Sequence, residues 1–305
     1  MKKKIYKVII IGLGKAGLLY DLKKDNFFSH SQAISKKKRL KLVAGVDIDK
    51  KKTEIFKHRF NSKVYSSLKD LIKKEYFDLA VISVPTDKQY RVINDLIRLT
   101  NNKTILCEKP CTNNLSKIIE IYKKLKKKKI NLFVNFQRIS LKSSETINKI
   151  LKSEKKVIIN VTYSQGVLNS ASHYITLFLN FFSNKDIKII KYKNYKSKIK
   201  NDFLSKFTIN FKNYKINFKP KINYKKIHGA FQAIGQKFNI KYLSGGKTIL
   251  IKNNISGKIR HLKTDIPNSQ LVIYDQLIDK LDGKKNTLCS INNAIEAFKL
   301  INKIK

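Results

Sequence analysis

Tryptophan is absent, methionine occurs once and proline four times in 305 residues. No apolar run reaches the ~18 residues that a membrane-spanning helix needs, so no span is expected. Three cysteines, Cys107, Cys111 and Cys289, are too few and too unevenly spaced for a zinc site or a disulfide framework, so no metal is expected. Reduced thiols agree with a cytoplasmic location. No internal repeat is present. Acidic residues are scarce, 21 against 66 basic, and the formal charge is +45. Such an excess raises the question of an anionic partner, nucleic acid or a membrane surface. Yet the basic residues are nearly all lysine; only Arg39, Arg59, Arg91, Arg98, Arg138 and Arg260 are arginine. The lysines are spread along the chain beside abundant Asn and Ile, the bias that AT-rich codons produce. A nucleic-acid reader concentrates Arg and aromatics on one element. Neither nucleic acid nor membrane is therefore expected as a partner, although the charge favours an anionic small substrate or cofactor.

What is present starts near the amino end. Met1-Lys2-Lys3-Lys4 followed by Ile5 to Ile11 has the outline of a short signal peptide. The apolar run, however, ends in a glycine turn without a small-residue cleavage site and reads as mature structure. Val8-Ile9-Ile10-Ile11 is a continuous β-branched run, the pattern of a buried parallel strand. It leads into Gly12-x-Gly14-x-x-Gly17, with Ala16 to Leu22 compatible with a helix. Gly12 allows the tight turn, Gly14 lets a pyrophosphate approach the backbone, and Gly17 lets helix and strand pack closely. The helix start offers N–H groups and a positive dipole end to the phosphates.

Residues 23–38 read as a polar, irregular insertion carrying Phe27, Phe28 and His30, a solvated loop that could overhang the cofactor site. Leu40 to Val46 is the next strand, with Asp47 at its carboxyl end. An acidic residue there hydrogen-bonds the adenosine ribose and repels a 2′-phosphate, which argues for NAD over NADP. Ile48 follows, where an NADP enzyme would often place Arg or Ser. Further strands are expected at Lys63–Tyr65, Leu79–Pro85, Lys103–Cys107 and Ile130–Asn135, with helices over Lys50–Phe60, after Pro85 with Thr86 or Asp87 as cap, and along the stripe Leu115, Ile118, Ile119, Tyr122, Leu125. Alternating strands and helices mean a doubly wound parallel sheet.

The period then changes. Val157, Ile159, Val161 and Tyr163 alternate with polar or outward positions, as do segments 203–211 and 214–218. Period-2 strands in succession mean an antiparallel sheet with one buried face. The break lies in the lysine run 123–129, which predicts residues 1–128 as a Rossmann domain and 129–305 as a second, α/β domain with a large, mostly antiparallel sheet. The tail returns to helix at 269–281 and 292–304.

Gly12-x-Gly14-x-x-Gly17, Asp47, Ser83-Val84-Pro85, Cys107-Glu108-Lys109-Pro110 and Gly166 to His173 together resemble the Gfo/Idh/MocA oxidoreductases, the relatives of glucose-fructose oxidoreductase and inositol dehydrogenase. The resemblance covers the first domain and the start of the second. It implies a bound nicotinamide dinucleotide held by Gly12, Leu13, Gly14, Lys15, Ala16, Asp47, Ser83, Pro85, Glu108 and Lys109. It implies that Lys109 lies near the nicotinamide and the reacting hydroxyl, that His173 serves as acid/base, and that Asn135, Arg138 and Asn169 contact substrate. Elementary chemistry agrees: removing hydride from a carbinol requires a base for the hydroxyl proton. A histidine in the first turn of a helix is disfavoured as imidazolium, so it can accept a proton. A lysine at a parallel strand's carboxyl end faces the ligand crevice and can stabilise an alkoxide.

Two departures stand out. Asn169 occupies a position where the family often has Asp, and Gln89 one where it commonly has His. The expected function is an NAD-dependent oxidoreductase acting on a sugar, cyclitol or nucleotide sugar, with surface-polysaccharide sugar synthesis as a family-level analogy. The alternative is a non-catalytic NAD-binding sensor on the same fold. The open sheet predicts a homo-oligomer.

Overall fold

The computed structural model describes residues 3–22, 27–101, 103–182, 187–222 and 229–305. Residues 23–26 of the expected insertion lie outside them. The chain divides into two compact units, residues 1–137 with 268–292, and residues 138–267 with 293–305.

The first unit is built on a parallel sheet: β1 (Tyr6–Ile11), β2 (Leu40–Val46), β3 (Lys63–Tyr65), β4 (Leu79–Ile82), β5 (Thr104–Cys107) and β6 (Asn131–Val134), in the order β3-β2-β1-β4-β5-β6. This is the doubly wound arrangement whose order reverses between β1 and β4, placing a crevice at the strands' carboxyl ends. Both faces are covered, so Val8, Ile9 and Ile10 are fully buried without alternation. Helices α2 (Lys50–Phe60), α3 (Leu68–Lys74), α4 (Thr86–Leu99) and α5 (Leu115–Lys127) connect the strands. Asp49, Ser67 and Asn114 cap α2, α3 and α5 through their side chains. The expected cap of α4 by Thr86 or Asp87 is not formed; Pro85 occupies that position and makes no side-chain cap. In α5 the buried line runs through Ile118, Ile121 and Leu125.

Two expectations need correction. The stretch 16–22 is not an α-helix but a turn followed by a 3₁₀ turn, Leu19–Asp21. The carbonyls of Ala16 and Gly17 accept instead from the N–H groups of His30 and Ser31, which diverts the chain. The supposed solvated insertion therefore ends in a buried helix, α1 (His30–Ser35), capped by Ser29. Its pattern escapes notice because His30, Ser31 and Gln32 are polar yet buried.

The domain boundary also moves. β6 lies beyond residue 128 but pairs in parallel with β5. Helix α8 (Ser269–Leu281), assigned from sequence to the second domain, returns to the first unit. Its Ile273, Tyr274 and Leu277 share one core with Val8, Ile10, Ala33, Ile34, Phe56, Val81 and Leu106. At its carboxyl end Asp282 takes a bidentate pair from Arg39, at 2.6 and 2.8 Å, and a 2.7 Å bond from the Tyr6 hydroxyl. The Arg39 guanidinium and the Tyr6 hydroxyl hold the Asp282 carboxyl well below the usual carboxylate range. A carboxyl depressed in the folded state stabilises above its ordinary pKa, about 4, and loses that contribution as pH falls. Asp282→Asn should therefore melt at a lower temperature than wild type at pH 7, with the gap little changed at pH 4 and narrowing as pH falls from about 4 to about 2; an equal gap at pH 7 and at the acid end of that range would contradict the pairing.

The second unit carries the eight-stranded sheet β14-β13-β12-β11-β7-β10-β9-β8. Its strands are β7 (Val157–Tyr163), β8 (Lys188–Lys196), β9 (Phe203–Phe211), β10 (Tyr214–Pro220), β11 (Gly229–Ile234), β12 (Phe238–Leu243), β13 (Thr248–Asn253) and β14 (Ile259–His261). Only the β7–β10 pair is parallel. Helix α6 (Lys142–Lys152) precedes the sheet, α7 (Ser172–Phe181) follows β7, and α9 (Ile291–Ile304) closes the chain. The inward face is aromatic: Phe207 stacks on Phe218 at 4.4 Å and Phe231 on Tyr242 at 4.6 Å. Ile158, Ile190 and Ile234 stand on the opposite face, exposed.

Candidate active site

The glycine turn sits where β1 ends. Gly12 has φ +94°, a conformation few other residues adopt, and a Cβ there would press on the Ser83 and Val84 backbone. A Cβ on Gly17 would lie 2.1 Å from the Gly12 carbonyl oxygen. Over Gly14, by contrast, nothing lies within 4 Å of such an atom, so the backbone is open to a ligand. The Ser83 hydroxyl ties the turn to β4 by donating to the Gly12 carbonyl at 2.6 Å. Asp47, half-buried at the end of β2, accepts from the Leu13 N–H at 2.7 Å and from the Asp49 N–H at 3.0 Å. Each carboxylate oxygen keeps a further lone pair for a ribose hydroxyl. Ile48 beside it is 91% exposed and offers no cation for a 2′-phosphate. Lys15 is exposed, Leu13 buried, Ala16 half-buried and Pro85 exposed at the start of α4. These residues fit a dinucleotide: an open glycine turn to take the diphosphate and a carboxylate on the neighbouring strand end.

Gln89 does not face a ligand. It is 1% exposed and its side-chain N–H donates to the Val84 carbonyl at 3.2 Å, so it braces the turn out of β4.

At the end of β5 the chain turns through Glu108, Lys109 and Pro110, with a cis Lys109–Pro110 peptide. Glu108 is fixed twice through its backbone, its N–H on the Ile82 carbonyl and its carbonyl on the Cys111 N–H. Its side chain accepts from Asn135 at 2.6 Å and meets His30 Nε2 at 3.0 Å, both on Oε1. Burial works to raise the Glu108 pKa, but the bonds from His30 and Asn135 and the Lys109 charge outweigh it and hold the carboxyl below its ordinary value. Lys109 is half-buried beside it. Asn135, expected to touch substrate, is 3% exposed, and its amide nitrogen is taken up by Glu108 and Gln270. Its Oδ1 has no partner among the described residues. An open pocket of about 350 Å³ adjoins this cluster, lined by Ala16, Tyr20, Phe28, Glu108, Gln137 and the start of α8.

The second unit holds the remaining expected residues. A π-helical turn, Val167–Ala171, runs straight into α7. His173 is thus preceded by a helical turn rather than standing at a free helix start, and the dipole argument loses its footing there. Asp202 anchors the turn by accepting from the Leu168 and Asn169 N–H groups, each at 2.9 Å. Asn169 directs its side-chain N–H toward Gln165 at 3.3 Å. Arg138 lies over the Tyr174 ring, 5.4 Å from its centroid, and donates to the Gly245 carbonyl at 3.3 Å. Burial works to lower the Arg138 pKa; the Tyr242 and Tyr174 hydroxyls outweigh it and keep the guanidinium charged.

Gly12–Gly17, Asp47, Ser83, Glu108, Lys109 and Asn135 therefore fall in the first unit, and Arg138, Asn169 and His173 in the second. Sequence reasoning missed Gln137, Ser269, Gln270, Tyr274 and Asp202. The available signal was a polar pair, Ser269-Gln270, opening an otherwise apolar helix.

A parallel sheet in this order with such a turn defines a dinucleotide-binding Rossmann domain. Residues 6–136 match the Gfo/Idh/MocA model, the oxidoreductase family with an NAD-binding Rossmann fold, and this domain belongs to that family. No curated protein matches the chain in sequence. Among solved structures, the MviM dehydrogenase of Clostridium difficile aligns at TM-score 0.79 and 19% identity, covering 99% of each chain. The UDP-N-acetylglucosamine 3-dehydrogenase GnnA of Acidithiobacillus ferrooxidans aligns at 0.78 and 10%, covering 99% of this chain and 97% of its own. The WlbA dehydrogenase of Chromobacterium violaceum, solved with NADH and UDP-GlcNAcA, aligns at 0.73 and 15%, covering 100% and 94%. At these identities the likeness is one of fold. Among the described residues no helix is long and apolar enough to cross a membrane.

Proposed function

We propose that the protein is an NAD-dependent oxidoreductase that moves a hydride between the nicotinamide and a hydroxyl-bearing carbon of a sugar, cyclitol or nucleotide sugar. The carrying observation is the pairing, on one sheet edge, of an open glycine turn braced by Asp47 with the strand-end sequence Glu108-Lys109-Pro110. The nicotinamide, when bound, accepts or supplies the hydride. Asp47 would hold the adenosine ribose and turn away a 2′-phosphate, which selects NAD. The Lys109 ammonium would lower the pKa of the substrate hydroxyl and stabilise the alkoxide as it forms. His173 would take the hydroxyl proton. Arg138 and Asn169 would contact substrate, Arg138 favouring an anionic group, whereas the buried Asn135 would act through Glu108, to which it donates. The dehydrogenases GnnA and WlbA, whose structures name nucleotide sugars, support that substrate class.

Incubation of the purified protein with NAD and a panel of sugars, cyclitols and nucleotide sugars, followed at the absorbance of reduced nicotinamide, tests the reading. Turnover that His173→Ala abolishes supports it. Tight NAD binding with no turnover on the whole panel would favour a sensor, a reading that the non-ionisable Asn169 keeps open. NAD at about 100 times its Kd should stabilise the fold by roughly 2.7 kcal/mol, read as a raised melting temperature. We also propose self-association through the sheet face carrying Ile158, Ile190 and Ile234; a monomeric mass by analytical ultracentrifugation would refute it.

A further inference from the structure

Beneath the pocket of the first unit lies a closed ring of four polar side chains, Glu108, Asn135, Gln270 and His30, drawn from β5, the end of β6, α8 and α1. Its bond directions can be deduced. The Glu108 carboxylate, ionised at neutral pH, only accepts, so Asn135 presents its amide nitrogen to it, at 2.6 Å. That same nitrogen donates to Gln270 Oε1 at 3.2 Å, and Gln137 donates to that oxygen as well. Gln270 must then turn its amide nitrogen to His30 Nδ1. Nδ1 is thereby an acceptor, with the Tyr274 hydroxyl also 2.7 Å away. Nε2 is left to carry an N–H, which donates to Glu108 Oε1 at 3.0 Å and closes the ring.

His30 is 1% exposed, so it does not present itself to a substrate. What it touches is informative. Its backbone N–H donates to the Ala16 carbonyl of the glycine turn at 2.8 Å, and the Ser31 N–H to Gly17 at 3.1 Å. One residue thus spans the turn that would grip the diphosphate and the carboxylate next to Lys109. Among the described residues His30 and Asn135 both meet Glu108 at Oε1, which fixes the side chain against the pocket that Glu108 lines.

We propose that His30 is a positioning residue: a buried imidazole that locks Glu108, and through it the Lys109 loop, in register with the dinucleotide turn. The inference rests on the reading of Lys109 as the group that meets the reacting hydroxyl. A buried network that fixes each member's orientation through its neighbours can hold such a register.

The test is trace acetylation of the apo-protein with acetic anhydride, with Lys109 reactivity quantified by peptide mass spectrometry against Lys63 and Lys103 of the same unit. His30→Ala should change the relative Lys109 rate by at least about threefold, the equivalent of half a pKa unit. His30→Gln, whose amide can stand in for Nε2–H, should restore it. If His30→Ala does not fold, His30→Asn carries the same expectation, because it fills the Nδ1 half and stops short of Glu108. A Lys109 rate within threefold of wild type in a folded Ala or Asn variant overturns the proposal, as does a Gln variant no better than Ala. On any panel substrate that turns over, His30→Ala should lower kcat by about tenfold or more with KM for NAD within about threefold. An equal loss in both would mark a general structural role and also overturn it. Failure of the wild type to turn over would sink the dehydrogenase reading and leave the acetylation result standing.

Discussion

Lys109→Ala is expected to lower kcat by about 10²–10³-fold while NAD affinity stays within about threefold, because in the proposed role the ammonium would act on charge that exists only as the alkoxide forms. Steady-state turnover on the best panel substrate, with NADH binding followed by fluorescence, measures both. Lys109→Arg should recover part of the loss at most, since a planar guanidinium cannot occupy the position of a compact ammonium. A Lys109→Ala enzyme that keeps more than a third of wild-type turnover would remove this residue from the chemistry. The prediction is sharp because the loop is fixed on both sides of Glu108, so the change deletes a charge from a frame that stays in place.

The second large effect concerns Asp47. Asp47→Asn keeps an acceptor for the Leu13 N–H and removes the negative charge. NAD affinity should fall about tenfold, the worth of hydrogen bonds to a charged group. NADP should gain about tenfold, because a carboxylate and a phosphate a few ångströms apart repel each other and removing the carboxylate's charge relieves that repulsion. The NAD-to-NADP affinity ratio should move by about 100-fold in sum, as read by parallel NADH and NADPH titrations. Asp47→Ala should be worse for both cofactors, since the turn then loses its brace. An unchanged ratio in Asp47→Asn would show that the adenosine ribose is recognised elsewhere.

The parallel sheet was legible because its strands announce themselves. Val8 to Ile11 and Leu79 to Ile82 are buried on both faces and so are apolar at every position. Gly12, Gly17 and Asp47 were legible for a different reason: steric demand at a turn and charge at a strand end leave few residue choices. What stayed hidden depends on tertiary partners. His30 looks like a surface residue until Glu108 and Gln270 are placed beside it. Helix α8 has an ordinary apolar stripe, and nothing in that stripe says which core it fills. The position of His173 was half legible; its helix was evident, but the π-helical turn ahead of it has no distinctive pattern. Strand β8 escaped because most of its residues face water, leaving lysine where an apolar alternation would be sought. Asp202 was hidden since its role is to receive backbone N–H groups more than 30 residues away.

The return of residues 268–292 to the first unit has a bearing on how the chain is born. Translation runs from the amino end, and a leading domain often folds while the rest is still being made. Here the leading sheet leaves the ribosome without Ile273, Tyr274 and Leu277, so its apolar face stays uncovered until the chain has been made past residue 277. A nascent chain arrested before residue 268 should be digested readily by protease and held by chaperones, and emergence of residues 268–292 should end both states together.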